Sequence, residues 1–270
     1  DPSQHYVFPD WTNLGTLDFY RGVAMSSDVY FYCLSGGCPQ FAHEGLGSDA
    51  LARYARMFGL GERTGIDLPD EAPGIVPDKQ WKERTIHEPW VTADTYFFGI
   101  GQEYLATTPI QMLRIVAAIA NGGDILRPHL VHEIRDAGGN LVQAGTRDVE
   151  RHVAVSPQNL AVMRQAMLQV VQNGSAPDAK VPGVAIAGKS GTAEYGNQLS
   201  SPSGEAGNGT YNEHGWFVSY APYDDPQVAL VVFHERGGGA LSAAPTSSRI
   251  WDFYFHQYLP QREAATQPHG

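Results

Sequence analysis

Four consecutive residues, Lys189-Ser190-Gly191-Thr192, bring together an ammonium group, two hydroxyls and a residue with no side chain. They follow the apolar run Val184, Ala185, Ile186 and Ala187, which suits a strand. On a strand edge this set has a definite use. The backbone pairs with an extended peptide as an added strand, and Gly191 lets that peptide come close. The ammonium and the hydroxyls hold a carboxylate and shift protons. The set therefore points to recognition of a peptide that ends in a carboxylate. A second pattern overlaps it: residues 183–190, GVAIAGKS, also fit G-x-x-x-x-G-K-[ST], the loop that cradles nucleotide phosphates. That loop needs a turn followed by a helix whose first N–H groups face the phosphates. The apolar residues between the glycines, and the GTAEYG that follows Ser190, read as strand instead. Nucleotide binding is the alternative reading of the same residues.

The remaining reactive side chains form no comparable pattern. None of the ten histidines lies in H-E-x-x-H: His43-Glu44 is followed by Gly47 and His234-Glu235 by Gly238. They read as surface or core residues, with His214, just before Trp216, the one expected beside the Lys189 strand. No metal, including a zinc ion near His5 and Asp10, and no cofactor is expected. Cys33 and Cys38, in CLSGGC, fit no zinc pattern. They are read as free thiols near a helix end, a bridge in an oxidising compartment being the other possibility.

The elements that must position these residues follow from capping and periodicity. Expected helices are SDALARYARMFGLG with Ser48 as N-cap, TPIQMLRIVAAIANGG with Thr108 as cap and Pro109 first, and SPQNLAVMRQAMLQVVQNG from Ser156. A further helix is expected in APTSSRIWDFYFHQYL. The tail from Pro260 reads as disordered, so residues 1–258 form the domain and residues 259–270 a tail. RPHLVHEIRDAGGNLVQ reads as a hairpin turning at residues 136–140. VAIAGKSGTAEY, GWFVSYAP and QVALVVFHE read as consecutive strands, the last two joined by the turn YDDP, which favours an antiparallel sheet. Residues 199–212 read as a mobile loop, and residues 59–90, rich in Pro and Gly, as a segment wandering over the surface. Together these give an α/β (α+β layered) fold, an antiparallel sheet flanked by helices. The chain has 270 residues, 42% of them apolar, and a formal net charge of -11. No basic stripe offsets that charge, which argues against nucleic acid as a partner.

Serine β-lactamases and penicillin-binding proteins carry three elements, S-x-x-K, S-D-N and K-T-G. Lys189-Ser190-Gly191-Thr192 resembles the third, and Ser26-Ser27-Asp28, between the helical patterns LDFYRGVAM and VYFYCL, resembles the second. With GIGQEYLATTPIQML (residues 99–113), NGGDILRPHLV (121–131) and HGWFVSYAPYDDPQVALVVF (214–233), the chain resembles the transpeptidase domain of an elongation-type, class B penicillin-binding protein, from about residue 14 to 258. That resemblance implies a serine D,D-peptidase-like transpeptidase fold, with a cleft between the sheet and a largely helical region. It implies acyl transfer from D-alanyl-D-alanine stem peptides of peptidoglycan, inhibition by β-lactams, and work beside a glycan polymerase in the cytoplasmic membrane, on its outer face. By resemblance Lys189 supplies positive field and proton-relay help. Ser190 and Thr192 bind the substrate carboxylate, and Gly191 lies between them. Ser26 sits in the proton network. Asp28 stands where many relatives have Asn, and so is placed to pair with a lysine. An N–H near Thr192 or Ala193 forms part of an oxyanion hole.

The first element is missing. The lysines are Lys79, Lys82, Lys180 and Lys189, and three positions before them stand Val76, Lys79, Pro177 and Ile186. With no S-x-x-K present, the chain is expected to be an N-terminally truncated transpeptidase domain, inactive alone. An inactive or β-lactam-sensing homologue is the competing reading.

Overall fold

The computed structural model describes residues 7–38, 43–194, 213–237 and 240–266, so the loop expected at residues 199–212 lies outside the described residues. In chain order the helices are α1 (Phe19–Ala24), α2 (Asp28–Gly36), α3 (Gly47–Met57), α4 (Lys79–Thr85), α5 (Thr92–Gly99) and α6 (Pro109–Asn121). Four short strands follow: β1 (Asp124–Leu126), β2 (Glu133–Arg135), β3 (Leu141–Ala144) and β4 (Val149–His152). Then come α7 (Pro157–Asn173), β5 (Ala187–Glu194), β6 (Glu213–Ala221), β7 (Val228–His234), α8 (Ala240–Phe253) and α9 (Leu259–Thr266). The described residues fall into two compact units, one within Asp1–Pro9 and Asp28–Leu160, the other within Asp10–Ser27 and Ala161–Gly270.

The first unit is mainly helical. Its cores gather Ala52, Leu60, Val76 and Phe98 in one cluster and Ala118, Ile125 and Val153 in another. Helix α6 forms as its sequence dictates. Thr108 accepts from the Gln111 N–H, Gln111 reaches back to the Thr108 N–H, Pro109 opens the helix, and Gly122 ends it in the left-handed conformation at φ 91°. Helix α3 departs from expectation. It starts at Gly47 with Leu46 as N-cap and no side-chain cap bond, and Ser48 is a buried residue of its first turn. Burial of the Ser48 side chain takes precedence there over local capping. The hairpin does form, β2 against β3, with Asp136 accepting the N–H groups of Gly138 and Asn140.

Residues 59–90 are not a surface wanderer. Leu60, Thr64, Val76 and Lys82 are buried in them. The buried Gln111 amide of α6 donates to the carbonyls of Glu62 (2.7 Å) and Pro73 (2.8 Å), and Ile75 bridges to Ala106. These bonds supply the partners that a segment without regular structure needs before it can be buried. Lys82, in α4, donates to both oxygens of Asp94 in α5, at 2.9 and 2.8 Å, with both side chains almost wholly buried. Burial works against the Lys82 charge, but the hydrogen bond and charge of Asp94 outweigh it and raise the ammonium's pKa above its ordinary value. Cys33 and Cys38 form a disulfide, against the expectation of free thiols. The chain doubles back after α2, with Gly37 at φ 91°, which brings the two Cα atoms to 4.8 Å, within bridging range.

The second unit is built on an antiparallel sheet in the order β5-β6-β7. Gly188 pairs with Ser219, Lys189 with Val218 and Gly191 with Trp216. Helix α8 packs on all three strands. Its Trp251, 1% exposed, donates from the indole to the Ser219 hydroxyl at 3.0 Å, and Ser219 meets Ser247 at 3.4 Å. In α7, the Arg164 guanidinium donates to the Tyr220 hydroxyl and the Tyr223 carbonyl. Burial pushes the Tyr220 pKa up, although Arg164 opposes it. The tail expected to be disordered from Pro260 is helical to Thr266, as α9. A π-helical turn, Tyr254–Tyr258, precedes α9, and such a wide turn accommodates a proline that lacks an N–H to donate backwards. Arg262, Glu263 and Ala264 are good helix formers.

Asp94→Asn leaves a buried ammonium with only the exposed Glu88 carboxylate, 3.9 Å away, as counter-charge. It is expected to lower stability to urea by about 3–5 kcal/mol, the usual cost of breaking a buried pair from one side. Because the folded pKa of Lys82 is raised, that contribution is fully present below the lysine's unfolded value and is lost as pH rises through the folded one. In the variant burial acts on Lys82 without Asp94 to oppose it and lowers its pKa, so the difference between variant and parent in urea titrations should narrow from neutral to alkaline pH.

Candidate active site

The candidate residues of the second unit converge on a turn and a strand. The turn follows α1. Asp18 caps that helix by accepting the Arg21 N–H at 2.8 Å, and the helix stops after Ala24. Ser26 then takes a left-handed backbone conformation, φ 55°, which costs a residue other than glycine on the order of 1 kcal/mol. Several bonds hold it there. The N–H groups of Ser26 and Ser27 donate to the carbonyls of Val23 and Gly22. The Trp11 indole donates to the Met25 carbonyl at 3.0 Å, and the buried Ser27 hydroxyl donates to the Asp10 carboxylate. Gly174, just past α7, completes the grip. A Cβ built there would lie 2.3 Å from the Ala24 carbonyl oxygen, so only glycine allows this approach, and the next N–H, that of Ser175, donates to that oxygen at 2.8 Å.

The strand is β5. Pairing with β6 fixes its backbone, so successive side chains alternate between its faces. Among the described strands β5 has β6 as its one partner, which leaves its other side as the sheet's edge. Lys189 lies half-buried and donates to the Ser26 hydroxyl and to the Ser190 carbonyl, each at 2.7 Å. Ser190 is buried, 7% exposed, and its hydroxyl lies 3.2 Å from that of Ser175. Thr192, two residues along on the same face as Ser190, is exposed. Gly191 faces Trp216, whose Cβ would be 3.3 Å from a Cβ placed on the glycine.

Of the residues singled out from the sequence, Ser26 and Lys189 are in direct contact, and Ser190, Gly191 and Thr192 extend from them along one strand. Asp28 is the acidic residue of the first turn of α2, in the other compact unit. The GKS pattern lies inside an antiparallel strand, with no turn into a helix, so the phosphate-loop geometry is absent there. His214 sits opposite Ala193, but its Nδ1 accepts the Arg236 N–H at 3.2 Å, which ties its ring to the segment just after β7. His5 lies outside the described residues, and Asp10 serves as the acceptor for Ser27. Sequence reasoning missed Asp10, Trp11, Gly174 and Ser175 as parts of this site. The last two stand where a helix-stop signal alone explains them.

An antiparallel edge strand carrying Lys-Ser-Gly-Thr, with its lysine bonded to a serine in a helix-end turn, accords with the resemblance to a penicillin-binding protein transpeptidase domain. A family model described as the penicillin binding protein transpeptidase domain matches residues 1–252, and the chain belongs to that family. It is 33% identical, over 99% of its length, to the peptidoglycan D,D-transpeptidase MrdA of Haemophilus influenzae, and 32% identical, over 100%, to that of Acinetobacter baumannii. The chain spans 41% and 40% of the length of these two relatives. Among solved structures, Pseudomonas aeruginosa PBP2 in complex with WCK 5153 is similar at a TM-score of 0.74 and 29% identity, covering 100% of this chain and 54% of that one. PBP2 of Helicobacter pylori, in its complex with MreC, gives 0.73 and 25%, covering 94% and 43%.

Ser27→Ala removes a buried hydroxyl that donates to a carboxylate. A hydrogen bond to a charged group contributes about 1.5–3 kcal/mol, so chemical denaturation of this variant should show a loss of that order.

Proposed function

We propose that this chain supplies the substrate-binding strand and proton-relay turn of a peptidoglycan D,D-transpeptidase. The observation that carries the reading is the 2.7 Å bond from the Lys189 ammonium to the Ser26 hydroxyl. In the proposed reaction a serine oxygen attacks the carbonyl between the two terminal D-alanines. The tetrahedral intermediate collapses, the C–N bond breaks, and free D-alanine leaves with a proton on its nitrogen. The serine ester is then attacked by an amine of a neighbouring stem peptide, which restores the serine and forms the cross-link. Ser26 is the group that hands the proton to the leaving nitrogen. Lys189, a cation donating to the Ser26 oxygen, keeps that hydroxyl's own proton pointed outward and attracts the substrate's terminal carboxylate. Ser190 and Thr192 hold that carboxylate, Gly191 leaves room for the peptide along the β5 edge, and an N–H near Thr192 or Ala193 stabilises the oxyanion.

The attacking serine is assigned to polypeptide outside these 270 residues, because no S-x-x-K occurs within them. The intact protein would then work at the outer face of the cytoplasmic membrane beside a glycan polymerase, with stem peptides as substrate and β-lactams as inhibitors. In support, one structural relative comes from a peptidoglycan synthase complex that coordinates polymerisation and crosslinking.

Intact mass after incubation with a β-lactam tests the reading on this chain and on one extended upstream by about a hundred residues, a typical domain-sized increment. An adduct is expected on the extended chain alone. An adduct on neither favours an inactive homologue, and an adduct on both puts the nucleophile within the present chain. On the extended chain, Lys189→Ala and Ser26→Ala should each slow acylation by about 10²-fold or more, the scale of a lost proton-transfer group.

A further inference from the structure

Ser175 touches both halves of the candidate site. Its backbone N–H donates to the Ala24 carbonyl at 2.8 Å, at the base of the Ser26 turn, and its hydroxyl meets that of Ser190 on β5 at 3.2 Å. Gly174 makes this double contact geometrically available, because any side chain there would strike the Ala24 carbonyl. One residue thus bonds to the segment that carries Ser26 and to the segment that carries Lys189.

Hydroxyl chemistry gives the contact a direction. Each hydroxyl has one proton to donate and two lone pairs to accept with, and either oxygen of the pair is free to be the donor in the unliganded protein. An ionised carboxylate only accepts. Once one binds Ser190, the Ser190 proton is committed to it, and the bond between the serines survives only with Ser175 as donor. The pair then forms a chain from Ser175 to Ser190 to carboxylate, in which the first bond makes the second hydroxyl a better donor. We propose that Ser175 is a positioning residue for the terminal carboxylate of the substrate, acting through Ser190 by hydroxyl-to-hydroxyl donation, while its backbone N–H holds the Ser26 turn. The proposal rests on the reading of Ser190 as a carboxylate-binding group.

The two functions separate by substitution. Ser175→Ala removes the hydroxyl and keeps the N–H, and Ser175→Thr keeps both. On the extended chain, β-lactam acylation is divided into the non-covalent Kd and the first-order acylation rate. Ser175→Ala should weaken Kd about fivefold, the worth of one neutral hydrogen bond. The acylation rate should stay within about twofold, because the Lys189–Ser26 contact does not depend on this hydroxyl. Ser175→Thr should restore Kd. A Kd unchanged in Ser175→Ala but raised in Ser190→Ala overturns the proposal, as does a fall in the acylation rate alone. If Ser190→Ala also leaves Kd unchanged, carboxylate binding by Ser190 is what fails. In that case the carboxylate role falls with it, and amide hydrogen exchange on the present chain decides the remaining part, that the Ser175 hydroxyl orders the β5 segment. Faster exchange over residues 189–192 in Ser175→Ala, reversed in Ser175→Thr, sustains it, and exchange identical to the parent overturns it.

Discussion

The bond from the Lys189 ammonium to the Ser26 hydroxyl joins residues 163 positions apart, and its short length requires both ends to be held by something other than the bond itself. A lysine has a long, mobile side chain, and a single contact to a hydroxyl does not repay the ordering of a strand and a turn. The strand end is fixed by register, since Lys189 lies opposite Val218 in an eight-residue pairing of β5 with β6. The turn end is fixed by bonds to the two carbonyls on either side of the strained residue's neighbour: Ser175 holds that of Ala24, and Trp11 that of Met25.

Strain and burial are arranged in the same economy. Ser26 sits in a backbone region unfavourable to a side chain, and the segments that compensate come from three separate parts of the sequence, around Asp10, Gly22 and Gly174. A residue kept in an uncommon conformation by over-determined surroundings presents its side chain in one direction, which suits proton transfer better than a flexible loop does. Removal of any one clamp leaves the others, so the turn is expected to shift before it melts.

The helical unit solves a different problem with similar means. It buries a long stretch with little regular structure, and every such burial needs hydrogen-bond partners for backbone groups. Gln111 provides two of them from within α6, and Glu71 accepts the N–H groups of Thr64 and Gly65 as well as the Thr64 hydroxyl. Burial pushes the Glu71 carboxyl up, but the Thr64 hydroxyl and the two N–H groups together outweigh it and hold the pKa below its usual value. The Lys82–Asp94 pair then locks α4 to α5.

Local chemistry was legible wherever it was decided locally. The caps and stop of α6, the Asp136 turn and the three consecutive strands all follow from residue type and spacing, because capping, turn conformation and strand period are properties of a few adjacent residues. The Lys-Ser-Gly-Thr run and Ser26 were also visible, as a resemblance in motif. The fate of Ser48, the order within residues 59–90, the Cys33–Cys38 bridge and the helix through Pro260 were not, since each depends on what packs against the segment. Asp10, Trp11, Gly174 and Ser175 belong with these. Their own neighbourhoods mark at most a helix stop at Gly174, and they acquire a role in this site only when the fold brings the end of α7 and the residues around Asp10 against the same turn. The sequence by itself determined which groups were available for the chemistry. The tertiary structure decided which of them touch, because contacts across a hundred or more residues are set by packing and pairing, and no local pattern encodes them.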